Sequence, residues 1–216
     1  MKIFVPIKEV SQRVPRKNFR LFGGISLYKH TLYKLSDFSV FVDTDSDEIL
    51  NEIITDKKLS HVTAYKRNPN LVGHEISVCK LIKNFVKRFE INNEVVCQLH
   101  VTSPFLSCKT LKDAAKKINN GYDSVISCNT LQTRLWRQET YGMCPINHNP
   151  MNLEQTQDLP LYYEENSLFY IFNSDDIMKT GNRIGITPYF YITNFPENLD
   201  IDTEENWSLA EKVNIQ

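Results

Sequence analysis

Residues 3–24 read IFVPIKEVSQRVPRKNFRLFGG, an apolar run followed at once by a basic segment. Ile3, Phe4 and Val5 predict a buried strand, and the turn-forming residues that follow predict a loop. The loop holds five basic residues, namely Lys8, Arg13, Arg16, Lys17 and Arg20. In open α/β sheets, ligands bind at the loops that follow the carboxyl ends of strands. We therefore expect this loop to bind an anion, although a solvated run of charge is the simpler alternative.

The same unit of apolar run and amphipathic run recurs along the chain. Further apolar runs lie at 39–42, 61–65, 94–99 and 124–128, and amphipathic runs lie between them at 27–35, 47–56, 76–89 and 110–120. Strand and helix periods that take turns predict βαβ crossovers and a mainly parallel sheet with helices on both faces. The predicted fold class is a three-layer α/β fold, and residues 1–216 are expected to form a single domain.

Residues 131–163 interrupt this rhythm, since the segment is aromatic, contains prolines and has neither period. A segment this long without regular structure is usually functional or a protruding arm. We expect it to be a substrate lid or an oligomer contact. Trp136 within it has two interpretations, packing against a partner or packing in the core.

Composition excludes several classes of protein. The 216 residues carry 25 Lys+Arg against 26 Asp+Glu, so the chain lacks the global basic field that nucleic acid or an acidic membrane selects. The five cysteines are odd in number and form no C-x-x-C, which argues against a disulfide framework or a zinc site. No stretch approaches the roughly 20 apolar residues of a membrane span. We expect a soluble cytoplasmic protein with a small anionic ligand, and no nucleic-acid or membrane partner.

Asp200 and Asp202 are the candidate metal ligands. Residues i and i+2 of an extended segment point the same way, and two carboxylates suit Mg²⁺ held jointly with phosphate oxygens. The alternative is that Asp202 or Thr203 caps the last helix, and the two roles are compatible. Asp43 and Asp45 pose the same choice, and there we favour structure, because Asp45–Glu48 has the pattern of a capping box.

Two further residues follow predicted strands, His100 after 94–99 and Arg67 after 61–65. A lone histidine is more often a core residue than a catalyst, but this position at a strand end favours a function. A lone arginine at such a position is usually on the surface, so Arg67 by itself indicates little.

The order of these motifs resembles that of the cytidylyltransferases that activate acidic sugars, most closely the CMP-N-acetylneuraminate synthetase (acylneuraminate cytidylyltransferase) family. The opening loop of that family has the form R-x-G-S-K-R-x-P-x-K-N, and residues 8–18 read KEVSQRVPRKN. The matching residues are Ser11, Arg13, Pro15, Lys17 and Asn18. The departures are Lys8 for Arg, Val10 for Gly and Gln12 for Lys. The resemblance implies that Lys8, Ser11, Arg13, Lys17 and Asn18 bind the CTP triphosphate.

Four later motifs continue the resemblance over nearly the whole chain. FVDTDSDEI at 41–49 and RNPNLVGHEIS at 67–77 each resemble a family motif. In the second motif, Arg67 and Ser77 fall on positions associated with the nucleotide pocket, and His74 departs from an Asp. HVTSPFL at 100–106 and YYEENSLFYIF at 162–172 resemble motifs that face the sugar. Sugar-side positions then fall on His100, which replaces a Gln, and on Thr102, Ser103, Asn166 and Tyr170. LDIDTEENW at 199–207 carries the Mg²⁺-binding role to Asp200 and Asp202.

The resemblance implies a nucleotide-diphospho-sugar transferase (Rossmann-like) fold, a protruding arm packed across a homodimer, and transfer of CMP from CTP to an acidic 2-keto-3-deoxy sugar. Lys17, Arg13 and Asp202 would be the catalytic residues, with the basic loop as the counter-charge for departing pyrophosphate. Because an anion favours imidazolium, we expect the pKa of His100 to rise beside the substrate.

Three alternatives to this activity stay open. One is that the acceptor is 3-deoxy-manno-octulosonate or another acidic sugar, and a second is that the enzyme prefers another nucleoside triphosphate. From a different class, the chain is a non-catalytic nucleotide-binding regulator that kept the fold and lost the chemistry.

Overall fold

The computed structural model describes residues 1–11, 13–73 and 75–214, so the departures at Gln12 and His74 lie outside the described residues. The strands are β1 Lys2–Ile7, β2 Leu21–Phe22, β3 Ile25–Ser26, β4 Ser39–Thr44, β5 Val62–Lys66, β6 Val95–Leu99, β7 Ser124–Leu131, β8 Trp136–Glu139, β9 Gly142–Pro145, β10 Tyr162–Asn173 and β11 Pro188–Ile192. The α-helices are α1 Leu27–Lys34, α2 Asp47–Thr55, α3 Val78–Arg88, α4 Cys108–Asn119, α5 Ser174–Thr180 and α6 Glu204–Asn214. Short 3₁₀ helices cover Lys17–Phe19, Lys57–Leu59, Pro69–Leu71 and Thr156–Asp158.

Seven strands form the central sheet in the order β11-β7-β10-β6-β1-β4-β5. The pairs β1–β4, β1–β6, β4–β5 and β7–β11 are parallel, whereas β10 runs antiparallel to both of its neighbours. The sheet is therefore mainly parallel, as the alternation of periods predicts. The antiparallel β10 matters for the site, because it brings the segment after residue 162 alongside β6.

The two faces of the sheet are covered by different helices, which confirms the three-layer arrangement. Successive residues of β1 point to opposite faces: Ile3, Val5 and Ile7 pack with α1, α2 and α4, and Phe4 packs with α3 and α5. All four side chains are buried, and each contributes about 1.5–3 kcal/mol through the burial of apolar surface. A smaller cluster centred on Phe22, Ile201 and Trp207 seats α6 beside the basic loop.

Helix α2 begins one residue later than the capping-box pattern predicts. Its N-cap is Ser46, whose side chain accepts a hydrogen bond from the Ile49 amide. The expectation that Asp45 caps this helix is wrong. The Asp45 Oδ1 atom instead accepts from the Glu9 amide at 2.8 Å, which joins the end of β1 to the end of β4.

The segment 131–163 contains a separate two-stranded hairpin, β8–β9, and the seven-stranded sheet reaches into its end because β10 starts at Tyr162. Trp136 is 45% exposed and makes an edge contact with the His148 ring, so the structure does not support core packing for it. Other large apolar residues of the segment are exposed as well, namely Tyr141, Met143, Ile146, Met151, Leu153, Leu161 and Tyr163.

All five cysteines are free, and Cys97 and Cys128 are buried. Within the described part of the chain, no helix is both long enough and apolar enough to cross a bilayer.

Candidate active site

A cleft of about 300 Å³ opens where β1 and β6 end side by side. Because these strands are parallel neighbours, the residues that follow them, Lys8 and His100, emerge at the same edge of the sheet. The cleft is lined by Pro6, Lys8, Val10, Ser11, Arg13, Lys17, Asn18, Ile76, Val78, Leu81, His100, Val101, Thr102 and Asp202. The structure thus brings together eight of the residues that the sequence nominates, from three distant segments of the chain.

The basic loop is folded onto its own backbone. The Asn18 Nδ2 atom donates to the Lys8 carbonyl at 2.9 Å, and the Lys17 amide donates to the Val14 carbonyl at 3.2 Å. Val14 and Asn18 are both buried. The buried residues Val14 and Asn18 fix the loop to the body of the protein, and Lys8, Ser11 and Arg13 line the cleft.

Lys17 and Arg13 bind the two carboxylate oxygens of Asp202 separately. The Lys17 Nζ atom lies 3.1 Å from Oδ1, and the Arg13 Nη1 atom lies 2.9 Å from Oδ2. Lys17 is buried and also donates to the Ile201 carbonyl at 2.5 Å, whereas the Arg13 side chain is 69% exposed. The basic loop and the segment 200–202 therefore form one charged cluster on one side of the cleft.

Thr203, and not Asp202, caps helix α6. The Thr203 Oγ1 atom accepts from the Asn206 amide at 3.2 Å, and Asn206 Oδ1 accepts in return from the amides of Asp202 and Thr203. This reciprocal pattern is that of a capping box. It leaves the carboxylate of Asp202 to the cleft, which separates the two roles that the sequence left open.

Asp200 is half-buried and, unlike Asp202, does not line the cleft. Ser103 Oγ is 3.4 Å from Asp200 Oδ1, and the Ile201 amide donates to the Thr102 carbonyl at 2.9 Å. Burial raises the pKa of Asp200, and the negative charge of Asp202 adds to that effect, while Thr102, Lys17 and Ser103 oppose it. Ser103 itself is buried, so its contact in this structure is with Asp200.

The donor set at this position fits Mg²⁺. Over residues 1–11, 13–73 and 75–214, no group of three or more His, Cys, Asp or Glu is arranged to hold a metal. Mg²⁺ in nucleotide sites does not need such a cage, because one or two carboxylates and the substrate phosphates suffice. Asp202 Oδ2 is bound by the exposed Arg13, so a cation and phosphate oxygens can replace that contact. The metal itself remains a prediction.

His100 lines the cleft, but its environment opposes protonation. Burial, together with the charges of Arg183 and Lys17, lowers the pKa of His100 to about 4, although Asp202 acts in the opposite direction. The protein's own groups therefore hold the ring neutral, and the expected rise of this pKa beside a bound substrate stays a prediction. The neutral ring offers one donor and one acceptor, as the family Gln does.

Arg67 is a structural residue in this fold. Its side chain is 1% exposed and its Nε atom donates to Oδ1 of the fully buried Asp43. The Nη2 atom donates to the carbonyls of Asp43 and Ile7 at 3.0 and 3.3 Å. The guanidinium thereby joins the ends of β1, β4 and β5, and Arg67 is absent from the lining of the cleft. This corrects the expectation that the Arg67 side chain contacts the nucleotide.

Five other nominated residues lie outside the lining, namely Ser77, Ser103, Asn166, Tyr170 and Asp200. Ser77 is exposed at the start of α3, between the cleft residues Ile76 and Val78. Asn166 Nδ2 donates to Thr193 Oγ1 at 2.7 Å and to Asn129 Oδ1 at 3.0 Å. The Tyr170 ring is buried, and its hydroxyl donates to Glu165 Oε2 at 2.8 Å. Their roles toward a substrate remain predictions.

Arg183 was missed by the sequence analysis, although it is a cation beside this site. Its Nη1 atom donates to Gln98 Oε1, and its guanidinium lies 3.4 Å from the centroid of the Tyr170 ring. The glycines that flank it in TGNRIG at 180–185 indicate a turn after a helix, which is the one local signal that could have drawn attention to it.

Comparison with known proteins gives consistent matches over the whole chain. The family model described as Cytidylyltransferase matches residues 3–216. An N-acylneuraminate cytidylyltransferase A from Danio rerio is 29% identical over 94% of this chain. The chain spans about half of that relative's length, since the match covers 48% of it.

A bacterial relative matches end to end. The CMP-N,N'-diacetyllegionaminic acid synthase of Legionella pneumophila is 25% identical over 97% of this chain and 94% of its own length. Among solved structures, a CMP:2-keto-3-deoxy-manno-octonic acid synthetase in complex with CTP aligns with a TM-score of 0.65, at 14% identity, over 99% of this chain and 96% of that one. At that identity the structural likeness concerns the fold, and it confirms the predicted fold class.

Proposed function

Since this chain belongs to the cytidylyltransferase family, we propose that it transfers CMP from CTP to the anomeric hydroxyl of an acidic 2-keto-3-deoxy sugar and releases pyrophosphate. The named relatives include enzymes for sialic and legionaminic acids, and sugars of that nonulosonate class are the proposed acceptors. The observation that carries the proposal is the charged cluster of Lys17, Arg13 and Asp202 at the edge of a cleft that Lys8 also lines.

Charge determines what such a site must do. The triphosphate, the sugar carboxylate and the transition state are all negative, and phosphoryl transfer needs positioning and positive potential more than covalent chemistry. Lys8, Arg13 and Lys17, with amides of the basic loop, are proposed to bind the β- and γ-phosphates and to stabilise the departing pyrophosphate. Arg13 is exposed and bound at one atom, so it can turn toward a phosphate at little cost.

Asp202 orients both cations through its two oxygens, and Ser103 supports Asp200 from behind. Asp200 and Asp202 are the residues proposed to hold Mg²⁺, which when bound would supply charge neutralisation at the phosphates. Asn18 acts on the loop itself, because its side chain fixes the Lys8 carbonyl.

The acceptor is proposed to bind beyond His100 and Thr102, at the side of the cleft that faces β10. The exposed apolar side chains of residues 131–163 support a second proposal, that this segment packs against another copy of the chain. Exposed aromatic and methionine side chains in such number are typical of interaction surfaces. Sedimentation velocity of the wild type, compared with a variant that carries Tyr141→Ser and Met151→Ser, measures whether the segment holds a homodimer.

The activity is tested by incubating the protein with CTP, Mg²⁺ and each of four acids: N-acetylneuraminate, a legionaminate, a pseudaminate and 3-deoxy-manno-octulosonate. Pyrophosphate release is followed, and the CMP conjugate is identified by mass. Turnover with octulosonate alone would move the assignment to that sugar, and turnover with another nucleoside triphosphate would correct the donor. Binding of CTP with no turnover of any acid would favour a non-catalytic nucleotide-binding regulator.

Lys17→Met should lower kcat/KM for CTP by roughly 10- to 100-fold, the effect of losing hydrogen bonds to charged groups. Methionine keeps the buried stem of the side chain and removes the charge. The matched control is Arg20→Met, because Arg20 belongs to the same basic segment but pairs with Glu204 at 2.7 Å and stacks on Trp207. That variant should keep its kcat/KM and lose at most about 1 kcal/mol of stability. Equal losses of kcat/KM in both variants would indicate a diffuse positive field and contradict the assignment of Lys17.

His100→Gln should leave the shape of the pH profile of kcat/KM unchanged between pH 6 and 8. A group with a pKa near 4 is neutral throughout that range, and this profile reports groups of the free enzyme. The free energy of unfolding, in contrast, should depend on pH through His100. Below about pH 6.5 this ring binds a proton in the unfolded chain but not in the folded protein, so the wild type loses stability as the pH decreases.

The loss in melting temperature from pH 7 to pH 5 should therefore be smaller in His100→Gln than in the wild type. Two results together would contradict this prediction. They are a pH profile of kcat/KM that differs between variant and wild type near neutrality, and melting temperatures that fall equally in the two proteins on acidification. They would show that His100 titrates as a substrate contact.

A further inference from the structure

The turn that carries Arg183 is hydrogen-bonded to Asp123 and Ser124, at the start of β7. Asp123 Oδ2 accepts from the amides of Ile186 and Thr187 at 2.6 and 2.8 Å, and Ser124 Oγ accepts from the Gly185 amide at 2.9 Å. A Cβ atom on Gly185 would lie 2.2 Å from the Asp123 carboxylate, so only glycine fits there. The backbone that follows Arg183 is therefore held in place independently of its side chain.

Two buried side chains set the direction of the Arg183 guanidinium. The Nη1 atom donates to Gln98 Oε1, and the planar group covers the Tyr170 ring with its central carbon 3.4 Å from the ring centroid. Gln98 and Tyr170 are opposite each other in the β6–β10 pairing, and they are 0% and 1% exposed. A guanidinium held by both stacking and a hydrogen bond loses little further freedom on binding a ligand.

Arg183 is a cation without an acidic partner in the described part of the chain, since no carboxylate oxygen there lies within 4.0 Å of its nitrogens. The acid nearest in this hydrogen-bond network, Glu165, is bound by the Tyr170 hydroxyl. The contrast is Arg67, which is buried against Asp43. Partly buried charges are normally paired, so the free edge of Arg183 is suited to an anion from outside the chain.

The position of Arg183 is beside the cleft. Gln98 and His100 are two residues apart at the end of β6 and so point to the same side, and His100 lines the cleft. Ile184 packs on the same apolar cluster as Ile76, Val78 and Leu81, which also line it. Arg183 does not itself line the cleft, but it lies close enough to His100 for its charge to lower the pKa of that ring.

We propose that Arg183 binds the carboxylate of the acidic acceptor, and that this contact distinguishes the acid from a neutral sugar. The inference rests on the proposed function. In the proposed function, Lys8, Arg13 and Lys17 bind the triphosphate. The carboxylate of the acceptor is then the one substrate anion to which no protein cation is assigned. A guanidinium with a free edge matches a planar carboxylate through two parallel hydrogen bonds, a geometry that lysine cannot reproduce.

The test compares an acid with its methyl ester, which has the same shape at the sugar and no charge. The acid that the wild type turns over best in the panel is assayed beside its ester, with wild type, Arg183→Met and Arg183→Lys. We expect the wild type to prefer the acid and Arg183→Met to lose that preference, with kcat/KM for the acid lowered roughly 10- to 100-fold. Arg183→Lys should keep a reduced preference. The Kd for CTP, measured by calorimetry, should be unchanged in both variants.

The matched control is Arg88→Met. Arg88 also stacks on a tyrosine, with its guanidinium 4.8 Å from the Tyr65 ring centroid, but it borders a different cavity, which Asp45 and Lys66 also line. This variant should behave as the wild type does in every assay. An acid-to-ester ratio in Arg183→Met equal to that of the wild type would overturn the proposal while leaving the proposed function intact. If Arg183→Met also loses CTP affinity, Arg183→Lys decides instead. An acid-to-ester ratio of kcat/KM in Arg183→Lys equal to that of the wild type would overturn the proposal in the same way. Failure of the wild type to turn over any acid would overturn the proposed function and this assignment together.

Discussion

Asp202→Asn is expected to lower turnover by about 10²–10³-fold, the range seen when a group that stabilises transition-state charge is removed. Each oxygen of this carboxylate binds one cation of the basic loop, and the same carboxylate is a proposed ligand of Mg²⁺. Asparagine keeps the size and an acceptor for Lys17, so the melting temperature should change little. Turnover, melting temperature and the Mg²⁺ concentration for half-maximal rate are measured together.

The neighbouring Thr203→Ala provides the control, because Thr203 caps helix α6 and its side chain does not reach Lys17 or Arg13. Loss of a cap costs about 1 kcal/mol of stability, and turnover should stay near normal. We therefore expect Asp202→Asn to lower turnover and spare stability, and Thr203→Ala to lower stability and spare turnover. Near-normal turnover in Asp202→Asn would remove this residue from the chemistry, whatever its effect on stability.

Arg67→Ala is expected to reduce the free energy of unfolding by about 3–5 kcal/mol, because it leaves the carboxylate of Asp43 buried without its partner. Asp43 is fully buried, and two backbone carbonyls lose a donor in the same substitution. A domain with an ordinary stability of about 5–15 kcal/mol should still fold at low temperature, so urea unfolding can measure the loss.

The exposed ion pair between Lys112 and Asp37 is the matched control, since its side chains are 50% and 60% exposed. Lys112→Ala should cost at most about 1 kcal/mol. At a temperature where Arg67→Ala is folded, its Kd for CTP should equal that of the wild type. Normal stability combined with lost CTP binding would restore Arg67 to the nucleotide pocket and would mean that the Asp43 contact is not a structural necessity.

Much of the fold is encoded locally, and the parts that the sequence failed to predict are those without a local signal. Strand β1 and helices α1 to α4 lie within a few residues of the predicted runs, because one face of each is buried and the apolar spacing records that face. The hairpin β8–β9 was not predicted, since all of β8 is exposed and no alternation arises. Strands β2 and β3 have two residues each, too few to show a period.

The candidate site divides in the same way. The basic loop and the segment 200–202 could be nominated from residue type and position after a strand, and the structure brings them into one cleft. The roles of Arg67 and Arg183 could not be assigned in this way. An arginine at a strand end or in a turn has the same local sequence whether its charge is paired, exposed or available to a ligand.

The sequence by itself determined the alternation of the main strands and helices, the three-layer sheet, and the nomination of a basic loop and an aspartate pair. Only the tertiary structure decided how the charges are paired. Lys17 meets a carbonyl 184 residues away, Arg67 meets an aspartate 24 residues away, and Arg183 meets a glutamine 85 residues away. The physical reason is that periodicity arises from burial of one face of a local element, whereas the partner of a charge depends on which distant strand ends become neighbours in the sheet.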